Sequence, residues 1–335
     1  MRTSIIKKIK LGNTVQYLII RGEEEKPKPI MLFLHGGPGI PELFTMKKEM
    51  GYLEEQFVVI YWEQRGAGKS YKVKGLTLEQ IVLDTLELSR WLIENYSQER
   101  IYLMGHSWGS FLGLLVVQQS PELYHAYIGI GQVTHQYEAE KISLEWIEKE
   151  AKRRNDKRAM KKLSKLKIPL VDAPIKEWIR FLNIHRGYIF KYGGTVRETK
   201  GIFWKWMKQF FLMSEYSFKE KIFFLPSSFY SMKQLWHDVV RINLFERIKR
   251  VEVPVYIFQG TQDYQASYLL SKKFLEQLDA PKKELFTFEN SAHSPHIEEN
   301  KKFNKLLKII LEKKDDDKPH SKRKIHSHTK NSLYL

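Results

Sequence analysis

The 335-residue chain contains no cysteine. That absence excludes a disulfide framework, a thiolate nucleophile and a thiolate-held metal, so any nucleophile must be Ser, Thr, Lys or a carboxylate. Acids are scarce too: 39 Asp+Glu face 56 Lys+Arg, a net charge of +17. No run approaches the roughly 18 uninterrupted apolar residues of a membrane span, so none is expected. The start, Met1 to Lys10, is basic with no apolar stretch behind it, which argues against a secretory signal and for a cytoplasmic address. Hydrophobic residues make up 42% of the chain, enough for a sizeable core. The length exceeds the roughly 250–300 residues at which single cores stop growing, which predicts one domain with an extra lobe.

The shortage of acids is local. Residues 132–250 carry +13 and residues 313–335 carry +4, which leaves the remainder neutral. The densest part, Ala151 to Lys167, holds nine Lys/Arg and one acid, Asp156. Such a stretch can attract phosphate, anionic lipid or nucleic acid. Phe203 to Lys208 interleaves aromatics and cations, but no nucleic-acid fold signature accompanies it, so the charge is read as a solvated helix face with no specific nucleic-acid partner. The tail 313–335 lacks apolar periodicity and is expected to be disordered, its histidines 320, 326 and 328 included.

Short β-branched and aromatic runs recur at Val15–Ile20, Ile30–Leu34, Phe57–Tyr61, Ile101–Met104, Ala126–Ile130, Pro254–Gln259 and Glu284–Phe288. Several are apolar throughout, as strands covered on both faces are, which predicts a mostly parallel sheet flanked by helices. Leu76–Tyr96 reads as a helix entered through a capping box, Thr77 to Gln80. From Gln132 to Arg250 the strand signal stops, and this segment holds 20 of the 44 aromatics. Phe203, Met207, Phe210, Phe211 and Ser214 share one helical face, read as the small core of a helical lobe or as an aromatic ceiling over a site. Strand character resumes at Val251. The expected division is therefore a core of residues 1–131 and 251–312 with a helical cap, 132–250, inserted into it.

Gly105-His-Ser-Trp-Gly109 sits directly after one predicted strand and opens an apolar helix. A strand-to-helix hairpin leaves no room for side chains two residues either side of Ser107, and it lifts the Ser107 Oγ clear of the sheet. Upstream, the strand Ile30–Leu34 runs into His35-Gly-Gly-Pro-Gly39, where glycines let an N–H face a carbonyl oxygen. Gly37 is assigned the first oxyanion donor, with Gly36 as its alternative, and Trp108 the second. His35 is read as structural. Asp263 and His293 each follow a later strand, and the order Ser107, Asp263, His293 suits a triad assembled at strand carboxyl ends. His296 is the rival base, and Asp279 and Glu289 are the rival acids.

These stretches, with Glu63-Gln-Arg-Gly-Ala-Gly-Lys-Ser70, resemble the α/β-hydrolase superfamily and within it the proline iminopeptidase family of serine aminopeptidases. The resemblance implies a helical cap, no metal or organic cofactor, and removal of an N-terminal residue, often proline, from short peptides. Two positions depart from the family pattern: Glu63, usually Asp, and His106, where many members have Gly. The family reads the substrate amine with cap carboxylates, and Glu215, backed by Glu220, is the candidate here, with Trp204 as an aromatic substrate contact. A carboxylesterase or other acyl hydrolase would use the same triad without an amine reader. A basic binding protein on a hydrolase scaffold is the remaining alternative. The partner expected is a small peptide or small-molecule acyl substrate, and the sequence leaves the oligomeric state open.

Overall fold

The computed structural model describes residues 4–22, 28–46, 51–73 and 75–316. Its strands are β1 (Ile5–Leu11), β2 (Thr14–Arg21), β3 (Ile30–Leu34), β4 (Val58–Glu63), β5 (Ile101–His106), β6 (Tyr124–Ile130), β7 (Val255–Gly260) and β8 (Lys283–Phe288). They form one sheet in the order β1-β2-β4-β3-β5-β6-β7-β8. The pairings of β2 with β1 and with β4 are antiparallel, and all others are parallel. Two short helices, α1 (Leu43–Met46) and α2 (Gly51–Gln56), follow β3; α3 (Leu78–Asn95) precedes β5 and α4 (Trp108–Gln119) follows it. Between β6 and β7 come α5 (Gln136–Arg153), α6 (Lys157–Leu163), α7 (Ile175–Tyr192), α8 (Ile202–Leu212), α9 (Phe218–Arg241) and α10 (Leu244–Arg247), with no strand among them. The chain closes through α11 (Tyr268–Gln277), then α12 (Pro295–Glu298) and α13 (Asn300–Asp316), the last two after β8. This is an α/β-hydrolase fold.

Every residue of β3, β4, β5 and β7 is buried. Alternation along them feeds two cores, with Leu32, Ile60 and Leu103 on one face of the sheet and Met31, Val59 and Met104 on the other. The seven expected strands are all present. β1 is an eighth strand that the apolar pattern does not mark, because its Ile-Ile-Lys-Lys start is exposed at the sheet edge, where lysines discourage edge-to-edge pairing.

Three expectations need correction. At the start of α3 the Gln80 amide donates to Thr77 Oγ1 (3.2 Å), but the Gln80 side chain donates to Asp84 (2.9 Å) instead of reaching back, so the box is half-made. A complete capping box opens α9 instead, between Ser217 and Glu220. The closing helix runs to Asp316, past the expected start of the tail, and residues 317–335 lie outside the described residues. Finally, the apolar face of α8 is not a core: Phe210 is buried, but Phe203 and Phe211 are exposed. Most of that helix is apolar, so periodicity alone could not say which side turns inward. The small core of the helical segment lies elsewhere, in Ile147, Ala151, Ala159, Leu163, Ile189 and Tyr192.

Candidate active site

Ser107 joins β5 to α4 with φ 53° and ψ −119°, a conformation L-residues rarely adopt. The glycines around it are sterically required. A Cβ at Gly105 would lie 2.2 Å from the Gly109 carbonyl oxygen, and one at Gly109 would lie 2.0 Å from that of Leu34. The side chain of Ser107 is nearly buried, and its carbonyl accepts from Ser110 Oγ (2.6 Å). The Trp108 amide is the first of α4 and so has no acceptor within its helix.

Asp263 lies three residues beyond β7 and His293 five beyond β8. His293 Nδ1 is 2.8 Å from Asp263 Oδ2, and both residues are buried. The other Asp263 contacts are donors, with Gln259 Nε2 to Oδ2 (2.6 Å) and the Gln265 and Ala266 amides to Oδ1 (2.8 and 2.9 Å). Burial pushes the Asp263 carboxyl up, but the His293 imidazole and the two amides outweigh it and hold it below the usual carboxylate range. An ionised Asp263 fixes the His293 proton on Nδ1. Nε2 of His293 is buried and has no hydrogen-bond partner.

The rivals lie differently. His296 is buried with no partner on either ring nitrogen, and burial among His106 and His293 holds it neutral, well below the ordinary histidine value. Asp279 lies 3.7 Å from Arg250 on the surface, and Glu289 pairs with Lys302. His35 is structural as expected from sequence. Its Nδ1–H donates to the Gly36 carbonyl (2.8 Å) while Nε2 accepts from the Gln64 amide (3.3 Å), and burial lowers it to about 4, so it stays neutral.

A contact between Glu42 and His106 organises the loop opposite Ser107. Gly36 stands against Ser107, since a Cβ there would lie 3.3 Å from the Ser107 Cβ. Its amide donates to Glu42 Oε2 (3.0 Å), so it is already committed, which leaves Gly37 as the loop's candidate donor. Glu42 Oε1 lies 2.7 Å from His106 Nδ1, and His106 Nε2 lies 3.0 Å from the His293 carbonyl oxygen. Only an imidazolium can donate to both. Burial disfavours that charge, but Glu42 overcomes it and raises His106, while Glu42 itself is lowered despite burial. No sequence motif marked Glu42. The departure at His106 was the one available signal, and without a partner in view it carried no role.

A cavity of about 820 Å³ opens between the sheet and the helical segment, with Gly37, Pro38, Gln265, Leu182, Phe229 and Trp236 among its lining. The ionised side chain on its wall is Arg186, which donates to the buried Glu140. Burial opposes ionisation of Glu140, but Arg186 and His185 prevail and hold it at about 2. The structure does not bring Glu215 or Trp204 to this cavity. Glu215 is buried beside Ser4 and Arg21, at the antiparallel edge of the sheet (2.8 Å from Ser4 Oγ), while Glu220 pairs with Lys69 (2.7 Å) and Trp204 is 75% exposed. Glu63 bridges the Lys69 amide and the Tyr216 hydroxyl, tying the turn after β4 to the segment before α9, and burial raises it to about 7.

Residues 29–156 match the family model for the alpha/beta hydrolase fold. The chain is 34% identical over 310 residues to the probable aminopeptidase YbaC of Bacillus subtilis, covering 91% of this chain and 95% of that protein. It is 23% identical over 287 residues to the proline iminopeptidase PfmaB of Pestalotiopsis fici, covering 85% and 92%. Among solved structures it is similar to a proline iminopeptidase-related protein of Thermus thermophilus, with TM-score 0.66, 20% identity, and 92% and 98% of the two chains covered. With sheet order, family model and a relative at that identity in agreement, the chain belongs to the α/β-hydrolase family, where it resembles the proline iminopeptidases.

Proposed function

We propose that the chain is a serine hydrolase that works through an acyl-enzyme at Ser107, in a core of residues 1–131 and 251–312 covered by a helical cap, 132–250. The observation that carries this reading is the Asp263–His293 pair, which holds Nδ1 and leaves the buried Nε2 unpartnered. In that mechanism Nε2 takes the Ser107 proton as Oγ attacks the scissile carbonyl. Asp263 keeps the tautomer and stabilises the imidazolium. The amides of Gly37 and Trp108 receive the oxyanion, and the proton passes from His293 to the leaving group. Water then repeats the sequence on the acyl-enzyme. A fluorophosphonate probe should label Ser107, and Ser107→Ala should lose both labelling and turnover. Labelling that survives in the variant would remove the assignment.

For the substrate, likeness to a probable aminopeptidase over nearly the whole chain supports release of an N-terminal residue, proline-type, from short peptides. A second reading, a carboxylesterase or other small-molecule acyl hydrolase, is favoured by the cavity lining, in which no carboxylate stands ready for an amine and the charge of Arg186 is already matched by Glu140. Paired substrates with free and acetylated α-amines separate the two. Recognition of the amine implies a loss of about 10²-fold or more in kcat/KM on acetylation, the scale of losing one partner of a buried charge pair. Equal turnover of both forms selects the second reading and leaves the triad intact.

A further inference from the structure

Among the described residues, nine of sixteen exposed large apolar side chains fall between Phe203 and Phe229. On α8 they are Phe203, Trp204, Phe211 and Leu212. Helical spacing puts Phe218, Ile222, Leu225 and Phe229 on one stripe of α9. The flank and far side of α9 are the docked ones: Ser228 Oγ donates to the Gly39 carbonyl (2.6 Å) and Ser231 Oγ to that of Gly66 (2.9 Å). Beneath the surface Phe210 and Phe224 meet at 4.6 Å between centroids, and Lys221 Nζ donates to the Phe211 carbonyl (2.8 Å), so the two exposed stripes adjoin. Exposure is high, 75% at Trp204 and 79% at Phe218. Single exposed apolar residues need no explanation, but a cluster of this size on adjoining helices marks an interaction surface.

The charge around it identifies the partner. Residues 202–233 contain five lysines and two acids, and both acids are spent, Glu215 by burial and Glu220 on Lys69. The surface therefore presents aromatic rings among ammonium groups, with Lys233 Nζ 4.5 Å over the Phe229 ring. A second copy of the chain would set lysine against lysine and +17 against +17, which opposes self-pairing. We propose that the outward faces of α8 and α9 dock on an anionic lipid bilayer, rings entering the acyl boundary and lysines level with the phosphates. Leu225, Pro226 and Phe229 also line the cavity, so docking sets the cavity mouth against the lipid. The inference goes beyond the hydrolase reading and stands whichever residue is the nucleophile.

The test is flotation of the full chain with vesicles of phosphatidylcholine alone and of phosphatidylcholine mixed with phosphatidylglycerol. Partition into the anionic vesicles should be about tenfold stronger or more at low salt and should weaken as salt screens the lysines. Acyl-chain brominated lipid should quench fluorescence that Trp204→Phe removes. Trp204→Ser with Phe211→Ser, and separately Lys208→Glu with Lys219→Glu, should each lower partition about tenfold or more without moving the thermal midpoint, because these side chains face outward. Equal binding to both vesicles, no binding to either, or wild-type binding by the variants would overturn the proposal. So would a concentration-dependent dimer dissolved by Trp204→Ser, since a second copy would then own the surface.

Discussion

Glu42→Gln is the most exposing perturbation of this site, because it keeps the shape of the side chain and removes only its charge. In the native arrangement one Glu42 oxygen accepts from the Gly36 amide and the other from His106 Nδ1. A glutamine has one acceptor oxygen for these two donors, and its NH₂ would face the other. Stranding one partner of a buried pair costs about 3–5 kcal/mol when the remaining charge must stay. His106 can instead shed its proton, and the Glu42 side chain keeps some solvent contact, which reduces the expected loss to about 1–3 kcal/mol. For a chain of this length that is a fall in Tm of about 1–4 °C. The pH dependence follows from the directions of the two shifts. His106 is raised, so its contribution is full below the ordinary histidine value of 6.5 and is lost as pH climbs through the raised value. Glu42 is lowered, so its contribution is full above the ordinary 4.5 and is lost as pH drops through the lowered value. The stability gap between wild type and variant should therefore be widest between those two ordinary values and should close on either side. Activity should fall as well, by about 10- to 100-fold in kcat with KM little changed, short of the 10²–10³ that follows outright loss of an oxyanion donor. The assays are thermal unfolding across pH and kinetics on aminoacyl anilides and simple esters. A gap that stays constant across pH, or a coupling between Glu42→Gln and His106→Gln below about 0.3 kcal/mol, would refute the charged pair.

His293→Ala should lose most activity, while His296→Ala should retain it or lose it only through stability, because His296 has no acid partner; the reverse result in the same kinetic assay would reassign the base. DNA or RNA binding, measured by titration at stepped salt, should be weak and fall steeply toward physiological ionic strength; tight, sequence-selective binding there would give the basic segment a role it lacks in this reading.

Legibility from sequence followed burial. Ile30–Leu34 and Ile101–Met104 announce themselves because a strand covered on both faces must be apolar throughout, and the elbow at Ser107 announces itself because backbone contacts near 2 Å leave glycine as the only choice. Asp263 and His293 were placed by chain order and strand ends, and the structure brings them to 2.8 Å of each other. What stayed hidden depends on partners distant in sequence. Glu42 and His106 are 64 residues apart, and neither residue type is informative alone. Glu215, suggested by the family's use of cap carboxylates, and Trp204 lie in a helical segment whose faces periodicity does not assign, and tertiary packing sends one to Arg21 and the other to the surface.

That same packing explains how a segment carrying +13 can cover an apolar cavity. Where its charged groups turn inward they are matched: Arg186 meets Glu140, and Glu220 meets Lys69 from the core. The lysines of Ala151–Lys167 are exposed, as are Lys205, Lys208 and Lys219. Excess charge in water is screened within about 10 Å at ordinary ionic strength, whereas an unmatched charge on the cavity wall would act through low dielectric at full strength. The basic character of the segment therefore belongs to its outer surface, the face on which lipid docking is proposed. On the cavity wall itself the charge reduces to the Arg186–Glu140 pair, set among apolar and uncharged polar side chains.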